Sequence, residues 1–225
     1  MLHAEARDPA GSPMLGGSCM DLIADAGRVA DLEFLAALMI DGDVPPAMRT
    51  DACHTARCAG EAWLIEFMIA TYLSVERFAD RESIAVYVSS LLEPYDGALD
   101  LVESCHDAAV FERMAHAKLR TLLDELGTDQ VVLYEGRAFD VHRIAWSLRR
   151  AVMDEDHGAV LMLRRKFEPY TGLDCSGFYE NGRHVNFRGI RDVLDQFDAQ
   201  NAERGDVFEP GKRFFFGHPV PGGIR

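Results

Sequence analysis

No stretch of this chain is both long enough and apolar enough to cross a bilayer. The most apolar run, AWLIEFMIATYL at residues 62–73, carries Glu66 inside it and is shorter than the roughly 20 residues a spanning helix needs. It reads instead as a buried helix. The first residues, MLHAEARDPAGSPMLGGS, hold no basic stretch followed by an apolar core, so they do not read as a secretory signal. The phosphate-cradling patterns GxxxxGK[ST] and GxGxxG are both absent. Cysteine is sparse and odd in number: Cys19, Cys53, Cys58, Cys105 and Cys175. That count and its irregular spacing argue against a secreted disulfide framework. From these absences a cytoplasmic protein is expected, with no membrane partner and no cofactor.

What is present is ordinary globular material with an unusual charge distribution. Of the 225 residues, 48% are hydrophobic and 27% charged, enough apolar content to exclude disorder as a description of the whole. The formal net charge is −14, and residues 1–127 account for −13 of it, leaving −1 for residues 128–225. Such asymmetry marks two regions with different surfaces. The acidic one repels nucleic acid and anionic lipid and attracts basic partners; a plain solubilising surface is the alternative.

From residue 19 to 127 the apolar spacing is helical. Leu32, Leu35, Leu38 and Met39 share a face, and residues 60–73 are apolar almost all round, as in a central helix. The segment 82–97 ends at Pro94 and Gly97. In 107–127, Asp107 is placed to cap a helix whose stripe is Phe111, Ala115, Leu119, Leu122 and Leu126, with Gly127 closing it. Short turns predict antiparallel helix hairpins. The stretch ACHTARCAGEAWLIEFMI, residues 52–69, resembles the two-helix core of an ankyrin repeat, with Gly60 at the turn and Leu64, Ile65, Phe67 and Met68 behind it. Residues 30–44 and the segment around Val160, Leu161 and Leu163 look similar. The T-P-L-H opening of that family is missing from every unit, and the interval from Gly60 to Gly97 is longer than one repeat.

Beyond residue 127 the pattern changes. VVLYEGRAF at 131–139 and GFYENGRHVNF at 177–187 each hold strand formers broken by a turn signal, and each leads into a helical pattern. With one residue inserted, Tyr134, Gly136, Arg137 and Asp140 match Tyr179, Gly182, Arg183 and Asn186. Two copies of a strand–turn–strand–helix unit follow from this, with Asp140 and Asn186 as helix caps. The tail carries Phe214, Phe215 and Phe216 in a row. A free tail of that kind would be an exposed apolar patch, so an edge strand against the body is expected, or a partner-binding segment. The expected fold is thus mainly α with a smaller α+β part: a flexible segment 1–18, an acidic array of antiparallel helical hairpins 19–127, and two β-hairpin–helix units within 128–225.

Three chemistries have candidate residues. DCSGF, residues 174–178, resembles the nucleophile motif of NlpC/P60-type cysteine peptidases. The resemblance implies Cys175 as nucleophile at a helix N-terminus and His218 as base. Lys212 stands where that family has Asp, and only seven residues follow His218. Arg137 and Arg183, at equivalent hairpin positions, are candidates for binding nucleic acid or phosphate, although their half of the chain is nearly neutral. Cys53, His54, Cys58, Cys105 and His106 could supply soft metal ligands, but the C-x4-C spacing fits no usual zinc knuckle. Buried apolar cysteines are the simpler reading, and no metal is expected. The leading expectation is a non-enzymatic interaction protein that offers an acidic helical surface to a basic protein partner, as an inhibitor, immunity-type antidote or adaptor would.

Overall fold

A computed structural model describes residues 19–20, 22–23, 29–94, 97, 99–181, 184–204, 214–215 and 218–219. Its described residues are mainly helical, with short antiparallel strand pairs, and the contacts divide them into one unit ending at Phe139 and another beginning at Asp140.

The first unit contains α1 (Val29–Ile40), α2 (Pro46–Ala59), α3 (Leu64–Ser74), α4 (Phe78–Leu92), the single-turn α5 (Asp100–Glu103), a 3-10 turn at Ser104–His106, α6 (Ala108–Leu126), and the strands β1 (Leu133–Tyr134) and β2 (Arg137–Ala138). Helix α2 opens with proline at its first position, where no N–H is missed. It ends at Gly60, whose φ of 77° is the left-handed closure that glycine adopts without steric cost. The chain then turns directly into α3, so α2 and α3 form the hairpin expected around Gly60. Helix α4 stops before Pro94. Helix α6 is capped as its sequence predicts: the Asp107 carboxylate accepts from the N–H groups of Ala109 and Val110, and Gly127 has φ 68°. An N-cap of this kind contributes about 1 kcal/mol.

Side-chain contacts fix the helix directions. Tyr72 donates its hydroxyl to the Cys105 carbonyl (2.8 Å) and stacks on Phe111 (3.9 Å between centroids), while His116 meets Glu66 at 3.2 Å. Moving down α6 therefore moves up α3, and the two are antiparallel. Phe78 stacks on His106 near the start of α4, and Glu93 just past its end meets Lys118, so α4 and α6 run parallel. The α5 segment carries the chain back between them. The core of this unit is built from Leu35, Leu38, Met39, Leu64, Ile65, Met68, Tyr72, Ile84, Val88 and Phe111, all essentially without solvent contact.

Two buried charges are satisfied inside this core. The Arg49 guanidinium donates from Nε to the Met39 carbonyl (2.7 Å) and from an η nitrogen to the Ser74 hydroxyl, tying the ends of α1 and α3 to the start of α2. The Glu93 carboxylate, with no exposed side-chain surface, accepts from the Ser89 hydroxyl (2.5 Å), the Leu101 N–H (3.2 Å) and Lys118 Nζ (3.1 Å), while Lys118 also reaches Asp100 at 3.1 Å. Desolvation, the largest influence on Lys118, pulls its pKa down, but the bonds to Glu93 and Asp100 outweigh it and leave the ammonium above its ordinary value.

The first hairpin belongs to this unit. Its two-residue loop, Glu135 and Gly136, has φ of 51° and 70°, the positive pair that a type I′ turn requires. The loop N–H groups donate to the last carbonyls of α4, Glu135 to Ser90 (3.1 Å) and Gly136 to Leu91 (2.9 Å). At its base, Leu133 N–H donates to the Gly60 carbonyl (2.7 Å) and Ala62 N–H to the Val131 carbonyl (2.9 Å). Carbonyls that a helix end would leave open are thereby satisfied.

The second unit contains α7 (Val141–Met153), α8 (His157–Thr171), a 3-10 turn at Ser176–Phe178, β3 (Tyr179–Glu180), β4 (His184–Val185), α9 (Phe187–Arg204), β5 (Phe214–Phe215) and β6 (His218–Pro219). Asp140 accepts from His142 N–H and Asn186 from Gly189 N–H, so both expected caps form. Both hairpins also form, the second with one more loop residue than the first: Tyr134 faces Arg137, whereas Glu180 faces His184. The core comprises Ile144, Leu148, Val160, Phe167, Phe178, Ile190 and Phe197, with Phe167 and Phe197 edge to face at 5.2 Å. The tail forms its own strand pair, Phe214 opposite Pro219 and Phe215 opposite His218. Gly172, left-handed at φ 69°, lets the Phe214 ring lie directly on the end of α8. The tail thus docks on the body, as expected, but by folding back on itself.

Candidate functional site

Helix α2 presents Asp51, His54, Arg57 and Cys58 at spacings of three and four, one stripe of its surface. Helix α4 presents Asp80, Tyr87 and Ser90 in the same way. The helices pack side by side and run parallel, since Asp51 near the start of one senses Asp80 near the start of the other and Arg57 near one end reaches Ser90 near the other. The centre of the face is aromatic. The rings of His54 and Tyr87 lie 5.2 Å apart, and the Arg57 guanidinium sits 5.8 Å from the Tyr87 centroid while its Nε donates to Ser90 Oγ (2.8 Å). Burial, then the neighbouring Asp80 carboxylate, raises the Asp51 pKa. Two like charges are therefore held close on adjacent helices, and Asp80 pairs with the exposed Arg77 at 3.8 Å.

Elsewhere on this unit negative charge stands where it opposes helix stability. The last turns of α1, α3, α4 and α6 contain no basic residue. Asp124 and Glu125, both exposed, occupy the last turn of α6, adding to the negative end of its dipole.

Cys175 lies in different surroundings from those its motif implies. It precedes a 3-10 turn of three residues, not an α-helix, and is fully buried. Its Sγ donates to the Leu173 carbonyl (3.6 Å), and its N–H to the Glu168 carboxylate (3.1 Å). Burial, reinforced by Glu168, pushes the thiol far above its ordinary range, which holds it protonated and poorly nucleophilic. His218 lies in β6 opposite Phe215. Among the described residues, no imidazole makes a hydrogen bond to the Cys175 thiol. Cys53 is likewise pushed up to about 12, first by burial. No three His, Cys, Asp or Glu side chains among the described residues are grouped to hold a metal, although His54 and Cys58 meet at 3.8 Å.

Arg137 is exposed on β2, next to the α4 cap, while its expected counterpart Arg183 lies outside the described residues, as does Phe216. Phe214 is half-buried on Gly172. The Asp51–Asp80 face escaped the sequence reading because its residues come from two helices; only the spacing within α2 and within α4 hinted at it. No described helix is long and apolar enough to cross a membrane. No family model matches the chain, nor does any curated protein or solved structure.

Proposed function

We propose that this chain is a non-enzymatic protein-interaction protein whose acidic helical unit docks a basic segment of another protein, in the manner of an inhibitor, an immunity-type antidote or an adaptor. The observation that carries this reading is the crowding of Asp51 and Asp80 across α2 and α4. A partly buried carboxylate facing a second one, as Asp51 faces Asp80, costs stability in the free protein, and a lysine or arginine placed between them relieves that cost. His54 and Tyr87 beside them supply rigid ring surface for the aliphatic stem of such a residue. Asp124 and Glu125 at the end of α6 extend the negative field and steer a cationic partner.

The test is a titration of the full chain with a fluorescent lysine- and arginine-rich peptide. Binding is expected at low ionic strength and falls roughly tenfold or more as salt approaches physiological levels, where the screening length drops to about 8 Å. Asp51→Asn and Asp80→Asn each weaken binding several-fold and raise the melting temperature slightly, by a few tenths of a kcal/mol in stability. Absence of binding at low salt, or binding indifferent to salt and to both substitutions, would refute the proposal.

A further inference from the structure

Helix α7 buries Ile144, Ala145, Leu148 and Val152 on one side. On the opposite side Trp146 and Met153, seven residues apart and so on one line, are 59% and 74% exposed. Scattered surface apolars need no explanation, but a tryptophan and a methionine aligned on one crest, flanked by arginines, match the residue types enriched at protein interfaces. On one flank Arg150 lies 5.9 Å from the Trp146 ring centroid and 3.5 Å from Asp154. On the other, Arg149 pairs with Asp198 of α9 at 2.5 Å. Next to that pair a shallow cleft opens between the two helices, lined by Val152, Met153 and Leu194 with Arg191 and Asp195.

The charges decide what fits. Each arginine on the flanks of this crest lies beside a carboxylate, so the face is neutral overall although densely charged. A nucleic-acid strand, with phosphates alone, would meet as many carboxylates as guanidinium groups. A purely acidic or purely basic segment would meet the same conflict. A surface carrying the same pairs in reversed order satisfies every charge, and a twofold axis supplies that surface from an identical molecule, because residue i then meets j while j meets i. We propose that α7 and α9 form a self-complementary face through which two copies of this chain pair about a twofold axis, Trp146 and Met153 forming the apolar centre and the Arg–Asp pairs exchanging partners across it.

Sedimentation velocity on the full chain over a range of concentrations tests this. A monomer–dimer equilibrium is expected, with the Trp146 emission moving to shorter wavelength as the dimer forms. Trp146→Ala weakens the dimer roughly thirty-fold or more, the hot-spot threshold, with an unchanged melting temperature at concentrations where the monomer predominates, because the side chain is exposed there. R150E and D154R are each expected to be monomeric, and an equimolar mixture of the two to recover the dimer. A single monomeric species at roughly 100 µM, well above the dissociation constant of a standard-sized interface, would overturn the proposal. So would a dimer indifferent to Trp146→Ala, or a mixture of R150E and D154R that stays monomeric.

Discussion

Replacing Lys118 with Met removes the one cation that, among the described residues, bonds the Glu93 carboxylate. Glu93 has no exposed side-chain surface, while Lys118 is 31% exposed. Breaking a buried pair from one side costs about 3–5 kcal/mol, because the remaining charge is stranded. Water can follow the shortened side chain through the partly open Lys118 position, and the Leu101 N–H and Ser89 hydroxyl stay in place, so the lower end, about 3 kcal/mol, is expected. Against a total of about 5–15 kcal/mol this is a large fraction, a factor of over a hundred in the folding equilibrium. Urea unfolding followed by far-ultraviolet circular dichroism reads it as a lower midpoint with an unchanged slope. Glu93→Gln on top of Lys118→Met recovers part of the loss, and the double-mutant cycle gives a coupling of about 2 kcal/mol. The pH dependence has a definite sign. The folded-state pKa of Lys118 lies above its ordinary 10.5, so its contribution is complete below that value and disappears as pH rises through the raised one. The unsubstituted chain therefore loses more stability in strong alkali than Lys118→Met does. A loss below about 1 kcal/mol in Lys118→Met would show that the pair behaves as an exposed salt bridge and would refute the reasoning.

Two further outcomes follow from close contacts elsewhere. A Cβ on Gly189 would lie 2.9 Å from the Gly177 carbonyl carbon and closer still to its oxygen, so Gly189→Ala is expected to destabilise the second unit by about 2 kcal/mol through overpacking; an unchanged urea midpoint would contradict that packing. Cys175, buried and held protonated, should react with a disulfide reagent at pH 8 at least about a hundred-fold more slowly than a free cysteine until urea opens the fold; fast labelling under native conditions would overturn the description of its surroundings.

The elements that could be read in advance are those whose signals are local. Asp107 and Gly127 bracket α6 because capping chemistry lies within a few residues of the helix end, and Asp140 and Asn186 announce α7 and α9 for the same reason. Both hairpins are legible as strand formers broken by a turn signal, including the single extra loop residue in the second. What stayed hidden was long-range. Nothing in VVLYEGRAF states that its N–H groups bond carbonyls near residues 60 and 90. The return of α6 alongside α4 depends on the length of the α5 segment, not on any apolar period. The DCSGF string is silent on reactivity for a related reason: the burial that holds the Cys175 thiol protonated is set by the packing around it, which the five letters do not specify. The carboxylates of Asp51 and Asp80 lie 29 positions apart in the sequence, and only the packing of α2 on α4 turns them into one feature.

The β1–β2 loop acts as a lid on the exit of α4, and this matters for how the chain is made and cut. On a ribosome the helices from α1 to α6 emerge before the residues that close them, so the carbonyls of Ser90, Leu91 and Gly60 remain wet until Leu133–Gly136 has left the tunnel. An N-terminal fragment stopped at Gly127 would keep that incomplete state permanently, with frayed ends on α2 and α4. One stopped after Phe139 carries its own closure.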